Sequence, residues 1–307
     1  MKIGMPKGLL YYRYYPFFKT FFNELGAEII TSPDTNKEIL NLGIKYSIDE
    51  ACLPIKIFHG HVAYLKDKCD IMLIPRIMQL RKSEFICPKF CGLPEMIVSD
   101  IPNMPKIISF PIYSYNKKSF MSFIKNSGSI FTKNIYKIKA AYSKALLVQN
   151  SLNLGIKDKN YDINIALVGH PYNLYDSFSN LNLIKKLHKL GIGVITEETI
   201  DENLINNEAA SLFKKPFWTF ARESYGFSVF SAKNNLVHGI IYISSFSCGI
   251  DSVLIELIKD SLKSFPMLIL KIDEQTGEAG FDTRLEAFSD MLKRRCMIYE
   301  NNISSTR

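Results

Sequence analysis

No stretch of this chain reaches the roughly 20 consecutive apolar residues that a membrane-spanning helix needs, which excludes a helical membrane anchor and any expected membrane partner. There is no Gly-x-x-x-x-Gly-Lys-Ser/Thr loop and no Gly-x-Gly-x-x-Gly after a strand. The two common backbone cradles for nucleotide phosphates are therefore missing, and ATP hydrolysis by this chain is not expected. There is no Cys-x-x-Cys pair and no ferredoxin-type cysteine run. The opening Lys2-Ile3-Gly4-Met5-Pro6 reads as a strand and a turn, and Arg13 interrupts the aromatic segment behind it. No export signal is read there, so the expected compartment is the cytoplasm. Six cysteines in 307 residues are no disulfide framework in such a reducing compartment.

Hydrophobic residues make up 47% of the chain, enough for a buried core and against a disordered default. Lys and Arg exceed Asp and Glu by 38 to 30, giving a formal charge of +8. A basic surface attracts nucleic acid, a phosphorylated cofactor such as coenzyme A, or an acidic protein. The densest basic segment, KNIYKIKAAYSK at residues 133–144, reads as the solvated face of a helix. No nucleic-acid motif accompanies it, and no nucleic-acid partner is expected.

Short apolar runs alternate with amphipathic stretches. Strands are expected at residues 3–5, 27–30, 70–74 and 107–110, and helices at 11–25, 35–42 and 54–65, with Gly26 and Gly43 as stops. After a long helix at 130–150 and a polar loop the pattern restarts. Strands are then expected at 163–168, 193–195, 239–243 and 267–271, and helices at 182–190, 251–262 and 282–297. Thr283 and Glu286 have capping-box spacing at the start of the last helix. The fold class is α/β, with two Rossmann-like (flavodoxin-like) domains, residues 1–155 and 156–307, whose mostly parallel sheets face an interdomain cleft. A short repeat supports two halves: Ile3-Gly4-Met5-Pro6-Lys7-Gly8-Leu9 matches Val168-Gly169-His170-Pro171-Tyr172-Asn173-Leu174 in its Gly, Pro and Leu positions. Each copy lies where a strand feeds a loop, and the carboxyl ends of parallel strands are where open α/β sheets bind ligands.

Three cysteines share one setting, beside Pro or Gly at a loop-to-helix junction: Cys52 in DEACLP, Cys87 in ICPKFCGLP and Cys248 in SFSCGIDS. A metal takes thiolate rather than thiol, and a helix N-terminus stabilises thiolate. Soft thiolates from separate loops suit an iron–sulfur cluster better than a hard cation, although zinc uses the same residues. Cys91 lies four residues after Cys87 and shares a face with it if the segment is helical. Spacing alone leaves a metal site and buried structural cysteines both open. Cys69 and Cys296 read as structural.

Among other residues, His170 ends a strand and is the candidate general acid. Glu50 neighbours Cys52 and is a candidate proton donor, with helix capping as its other role. Glu278 and Arg284 flank Gly280. Arg284 fits a phosphate or carboxylate of a cofactor, or an ion pair with a nearby acid. His59 and His61 are two apart, diverge on a helix, and read as packed side chains.

The segments KIGMPKGLLYYRYYPFFKTFFNELGAEIITSP, DEACLPIKIFHGHVAYL, ICPKFCGLPEM, FSCGIDS and DEQTGEAGFDTRLEAF together resemble the proteins related to 2-hydroxyacyl-CoA dehydratases and their activases. The resemblance spans nearly the whole chain. It implies an iron–sulfur α/β protein, with a [4Fe–4S] cluster on Cys52, Cys87 and Cys248 or a double-cubane [8Fe–9S] cluster that needs further thiolates such as Cys91. It also implies a separate ATP-hydrolysing activase as electron donor, an acyl-CoA or other small substrate, and a homo- or heterodimer. Gln275 stands where the family pattern has a histidine before Thr276-Gly277-Glu278. The competing reading is a non-catalytic accessory module that binds acyl-CoA or a partner protein, with structural cysteines or a structural metal.

Overall fold

The computed structural model describes residues 1–304, with side chains through residue 298. Two compact units emerge. The first comprises Met1–Leu154 with Pro216–Phe220, and the second comprises Gly155–Lys215 and the chain from Ala221 onward. Residues 216–220 depart from a boundary at a single point in the sequence. They join the first unit because Phe85 and Trp218 form a parallel bridge, with Phe85 N–H donating to the Phe217 carbonyl at 2.9 Å and Thr219 N–H to the Phe85 carbonyl at 2.8 Å.

In the first unit the order is β1 (Lys2–Met5), α1 (Tyr11–Glu24), β2 (Glu28–Thr31), α2 (Lys37–Tyr46), α3 (Leu53–Leu65), β3 (Ile71–Leu73), β4 (Arg76–Gln79), α4 (Lys89–Asp100), β5 (Lys106–Ile108), β6 (Pro111–Tyr113), α5 (Lys117–Gly128) and α6 (Ile135–Asn150). Four strands form a parallel sheet in the order β2-β1-β3-β5, and β4 pairs with β6 in a separate parallel ribbon. Pro75 stands between β3 and β4. It has no N–H to give to the ladder, which accounts for the break.

The second unit contains β7 (Ile163–Gly169), α7 (Pro171–Leu174), α8 (Leu183–Lys189), β8 (Ile192–Ile195), α9 (Glu202–Ala210), α10 (Thr219–Lys233, from Ala221 onward), β9 (Gly239–Ser245), α11 (Gly249–Leu262), β10 (Met267–Ile272) and α12 (Glu278–Ser304). Its parallel sheet runs β10-β9-β7-β8. Numbered within each unit, both sheets have the order 2-1-3-4. This order places a topological switch point between β1 and β3, and another between β7 and β9. The Rossmann-like α/β class expected from the sequence is the observed one.

β7 and β9 read as continuous apolar runs because both of their faces are covered. On α1, Phe17, Phe18, Phe21 and Phe22 are buried while Tyr11, Tyr12, Tyr14 and Tyr15 lie part-buried, so the aromatic segment divides along the helix axis, its first turns part-buried and its later ones in the core.

Several expected boundaries differ, among them the helix expected from residue 130, which begins at Ile135. α2 does not stop at Gly43 but runs on to Tyr46. Gly43 lies against the backbone of α3: a Cβ there would sit 2.0 Å from the Lys56 carbonyl oxygen, and a Cβ on Gly60 would sit 1.9 Å from that of Ile39. The glycine is a contact point between two helices, not a terminator. α12 begins at Glu278, five residues before Thr283, and the Thr283 hydroxyl donates to the Ala279 carbonyl within the helix instead of capping it.

Two predictions follow from this packing. Gly60→Ala should lower stability by at least the ~1–3 kcal/mol typical of an overpacked core, read from urea unfolding; an unchanged midpoint would refute the close crossing. His61 is fully buried beside the Thr35 hydroxyl at 3.0 Å, and burial, aided by Lys7, drives its pKa down to about 3. Below about pH 6.5 the unfolded chain takes up a proton that the folded chain refuses. Stability should therefore fall by ~1.4 kcal/mol per pH unit from pH 6.5 toward pH 3. His61→Gln should flatten that part of the stability–pH curve.

Candidate functional site

β7 and β9 end side by side at the switch point of the second unit. Gly169 is the last residue of β7, with φ +151°, and a Cβ there would lie 2.4 Å from the Ile243 carbonyl oxygen. Only glycine lets the strand come this close to β9 before the chain turns outward. His170 follows as N-cap of α7, with Pro171 fixing the first turn. On the neighbouring strand, Ser245 leads into a turn closed by Cys248 N–H donating to the Ser245 carbonyl at 3.1 Å. Ser247 holds φ +64°, a left-handed conformation that non-glycine residues seldom adopt. Cys248 then caps α11 through its carbonyl, which accepts from Ser252 N–H, while its thiol makes no capping bond.

Asp251 sits in the first turn of α11 with no exposed surface. Its Oδ1 accepts from the Tyr242 hydroxyl at 2.8 Å and its Oδ2 from the Ser244 hydroxyl at 2.8 Å. His170 Nε2 lies 3.1 Å from Oδ1. Ser245 adds a hydroxyl bond to Asn173 Oδ1 at 3.1 Å, and the buried Asn173 Nδ2 has no hydrogen-bond partner among the described residues. The ligand-capable atoms of His170, Cys248 and Asp251 all lie within 4.8 Å of one another.

Burial alone would lower the His170 pKa, but the Asp251 carboxylate, reinforced by the Cys248 sulfur, holds it well above the ordinary value. Burial alone would raise Asp251; His170, then Ser244 and Tyr242, bring it below the usual carboxylate range. The Tyr242 hydroxyl is pushed up, first by burial and then by Asp251, and remains a donor. The result is a buried ion pair with a proton fixed at His170 Nε2, next to a thiol at a helix N-terminus.

The other expected residues occupy separate places. In the first unit Cys52 is the N-cap of α3, again with no thiol capping bond, and Lys89 Nζ lies 3.6 Å from its sulfur. Cys87 precedes α4, its carbonyl accepting from Phe90 N–H at 3.0 Å. Cys91 lies inside α4; its thiol donates to the Ile77 carbonyl at 3.6 Å, and burial pushes its pKa up against the pull of Arg76. None of the six cysteines forms a disulfide. Glu50 is exposed in the turn before Cys52 and does not cap α3. In the second unit Glu278 is salt-bridged to Lys186 at 2.7 Å, and exposed Arg284 donates to the Ile269 carbonyl. Both therefore tie α12 to its surroundings. Asn173, Tyr242 and Ser244 were not legible as site residues, because an Asn in a short loop and hydroxyls on an apolar strand carry no chemistry-specific spacing.

Asp251→Asn should destabilise the protein by about 3–5 kcal/mol, because His170 is left buried without its counter-charge. In a double-mutant cycle with His170→Phe the two losses should be markedly less than additive. Additive losses in chemical denaturation would refute the pair.

Residues 2–200 match the family described as "CoA enzyme activase uncharacterised domain (DUF2229)". No curated protein matches the chain. Among solved structures, a similarity extends to a serine-to-alanine mutant of the Mn-bound periplasmic metal binding protein from Candidatus Liberibacter asiaticus. It has 10% identity and a TM-score of 0.28, and covers 95% of this chain and 97% of that one. A score that low carries no argument about function. No helix among the described residues is long and apolar enough to cross a membrane. The family match covers about two thirds of the sequence and takes in β1, the cysteine-bearing loops of the first unit and the His170 turn, so the chain belongs to the CoA enzyme activase uncharacterised domain family.

Proposed function

We propose that this chain is an iron–sulfur protein of the type related to 2-hydroxyacyl-CoA dehydratases and their activases. It would serve ATP-dependent low-potential electron transfer or reductive dehydration, with ATP hydrolysed by a separate activase protein. The observation that carries the reading is the repeated placement of cysteines outside disulfides at helix N-termini: Cys52 on α3 and Cys248 on α11 as N-caps, and Cys87 just ahead of α4. Family membership supports the same direction.

The donor set fits such a group. In α11 the first helical bond runs from Ser252 N–H to the Cys248 carbonyl, so the N–H groups ahead of it are the donors that would stabilise thiolate or inorganic sulfide; in α3 Pro54 has no N–H and Ile55 N–H already donates to the Cys52 carbonyl at 2.9 Å, which leaves Leu53 for that role. The Lys89 ammonium adds positive charge beside the Cys52 sulfur. Cys52, Cys87 and Cys248 would hold the cluster, [4Fe–4S] being the type that three ligands suit. Cys91, with its thiol on the Ile77 carbonyl, is the further thiol a double-cubane [8Fe–9S] cluster would recruit. When bound, such a cluster supplies a single electron at low potential. His170 holds a proton against Asp251 beside Cys248 and is the chain's general-acid candidate, with exposed Glu50 as a surface proton carrier. Arg284 and Glu278 are less suited to cofactor binding, since each already has a protein partner. Acyl-CoA is the substrate class and a homo- or heterodimer the assembly that go with this reading.

Protein prepared without oxygen should contain iron and acid-labile sulfide in equal amounts and give a cluster signal by electron paramagnetic resonance on reduction. Cys52→Ser, Cys87→Ser and Cys248→Ser should each lose most of the iron, and Cys91→Ser should keep it if the cluster is [4Fe–4S]. Full iron loading in the triple serine variant would end this assignment.

A further inference from the structure

We propose that the second unit by itself builds a mononuclear site for a borderline-soft divalent cation of the Zn2+ class, with His170, Cys248 and Asp251 as ligands. The inference does not depend on the iron–sulfur reading, because it needs no residue of the first unit.

The geometry is that of a compact coordination shell. Bond lengths of about 2.0–2.3 Å from Zn2+ to N, O and S imply ligand-to-ligand separations of roughly 3.3–3.8 Å in a tetrahedron. The His170 Nε2 to Asp251 Oδ1 distance is 3.1 Å, and the three ligand atoms close within 4.8 Å. Closing the widest of these separations by about 1–1.5 Å would bring the set around one ion.

The chemistry selects the cation. Thiolate, imidazole and carboxylate together suit Zn2+ or Co2+, whereas Mg2+ and Ca2+ avoid sulfur. One thiolate and one carboxylate balance a divalent charge, which matters where Asp251 has no exposed surface and His170 has 5%. Binding displaces the proton that His170 shares with Asp251 and the thiol proton of Cys248, so two protons leave for each cation taken up.

The supporting shell is already built. Tyr242 and Ser244 donate to the two Asp251 oxygens, each at 2.8 Å, fixing the carboxylate while leaving Oδ1 a lone pair for the ion. Three protein ligands leave a fourth position open, as in zinc sites that act on a bound molecule. The cation and a cluster would need the same sulfur, so occupancy by one excludes the other.

Co2+ added to the metal-free full-length protein under argon reports the site directly. A thiolate-to-cobalt charge-transfer band in the near ultraviolet, with intense visible d–d bands, should saturate at one Co2+ per chain and vanish on addition of Zn2+. The Cys52→Ser/Cys87→Ser variant, which would lose an iron–sulfur cluster, should give the same bands. Cys248→Ala should abolish the charge-transfer band, and His170→Ala should weaken binding at least tenfold. Tyr242→Phe keeps the fold and removes one supporting hydrogen bond; it should weaken binding about tenfold. No charge-transfer band in the wild type, a band lost with Cys52 and Cys87, or equal affinity in Tyr242→Phe and His170→Ala to wild type would each overturn the site.

Discussion

A single buried carboxylate governs the second unit. Asp251 lies where the end of β9, the start of α11 and the His170 turn after β7 meet, with no solvent to stabilise its charge. An isolated ionised carboxylate in such a place is prohibitively costly. Each neighbour answers that cost: Tyr242 and Ser244 by hydrogen bonds from β9, His170 by a proton from the adjoining strand. The α11 N-terminus contributes its positive end. These contacts tie β7, β9 and α11 into one arrangement, and they hold Cys248 beside an imidazole. Removing Asp251 would therefore disturb both the packing and the chemistry of the sulfur.

The two sheets share a strand order and a matched Gly–x–Pro segment, yet their switch points have diverged in character. In the first unit, Met5 and Gly8 occupy the positions that His170 and Asn173 hold in the second. Around the first switch point, Met5, Pro6, Leu9, Phe58, Leu73 and Phe90 line an apolar hollow. Around the second lie a charged pair, an amide, hydroxyls and a thiol. The common backbone explains why ligands could gather at either place. The side chains differ: the second gathers ionisable and metal-ligating groups where the first is apolar.

Much of this was legible in the sequence because it depended on local rules. Apolar runs bounded by Gly or Pro gave the eight strands of the two four-stranded sheets, and His170 and Cys248 stood out as reactive types at strand ends. What escaped notice depended on contacts between distant segments. Gly43 looked like a helix stop until Gly60 and the α3 backbone were beside it. β4 and β6 are only four and three residues long and acquire meaning from each other. α4 contains Pro94, which reads locally as a breaker. α10 carries too few charges on a broad apolar surface for its face to be read from periodicity, and Tyr225, Phe227 and Val229 are all buried. Asp251 looked like an ordinary first-turn acid. Its importance depends on Tyr242 and His170, which come from other strands.

The setting of Cys248 also constrains how any metal group can be held there. Its sulfur faces two kinds of stabilisation, from the α11 N-terminus along the helix axis and from the His170–Asp251 pair at its side. The helix end serves any thiolate ligand without regard to the metal. The His170–Asp251 pair does not: with its proton in place it supports a sulfur bound elsewhere, and without that proton it becomes two ligands. On the two proposals, proton occupancy of this one pair would separate a cysteine serving a cluster from a cysteine serving a single ion. Cys52 has an ammonium, Lys89, 3.6 Å from its sulfur, and a charged lysine cannot make that change. The chemical asymmetry between the two cysteine-capped helices thus traces to whether the neighbouring cation is a lysine, which does not coordinate while charged, or a histidine, which coordinates as soon as its proton leaves.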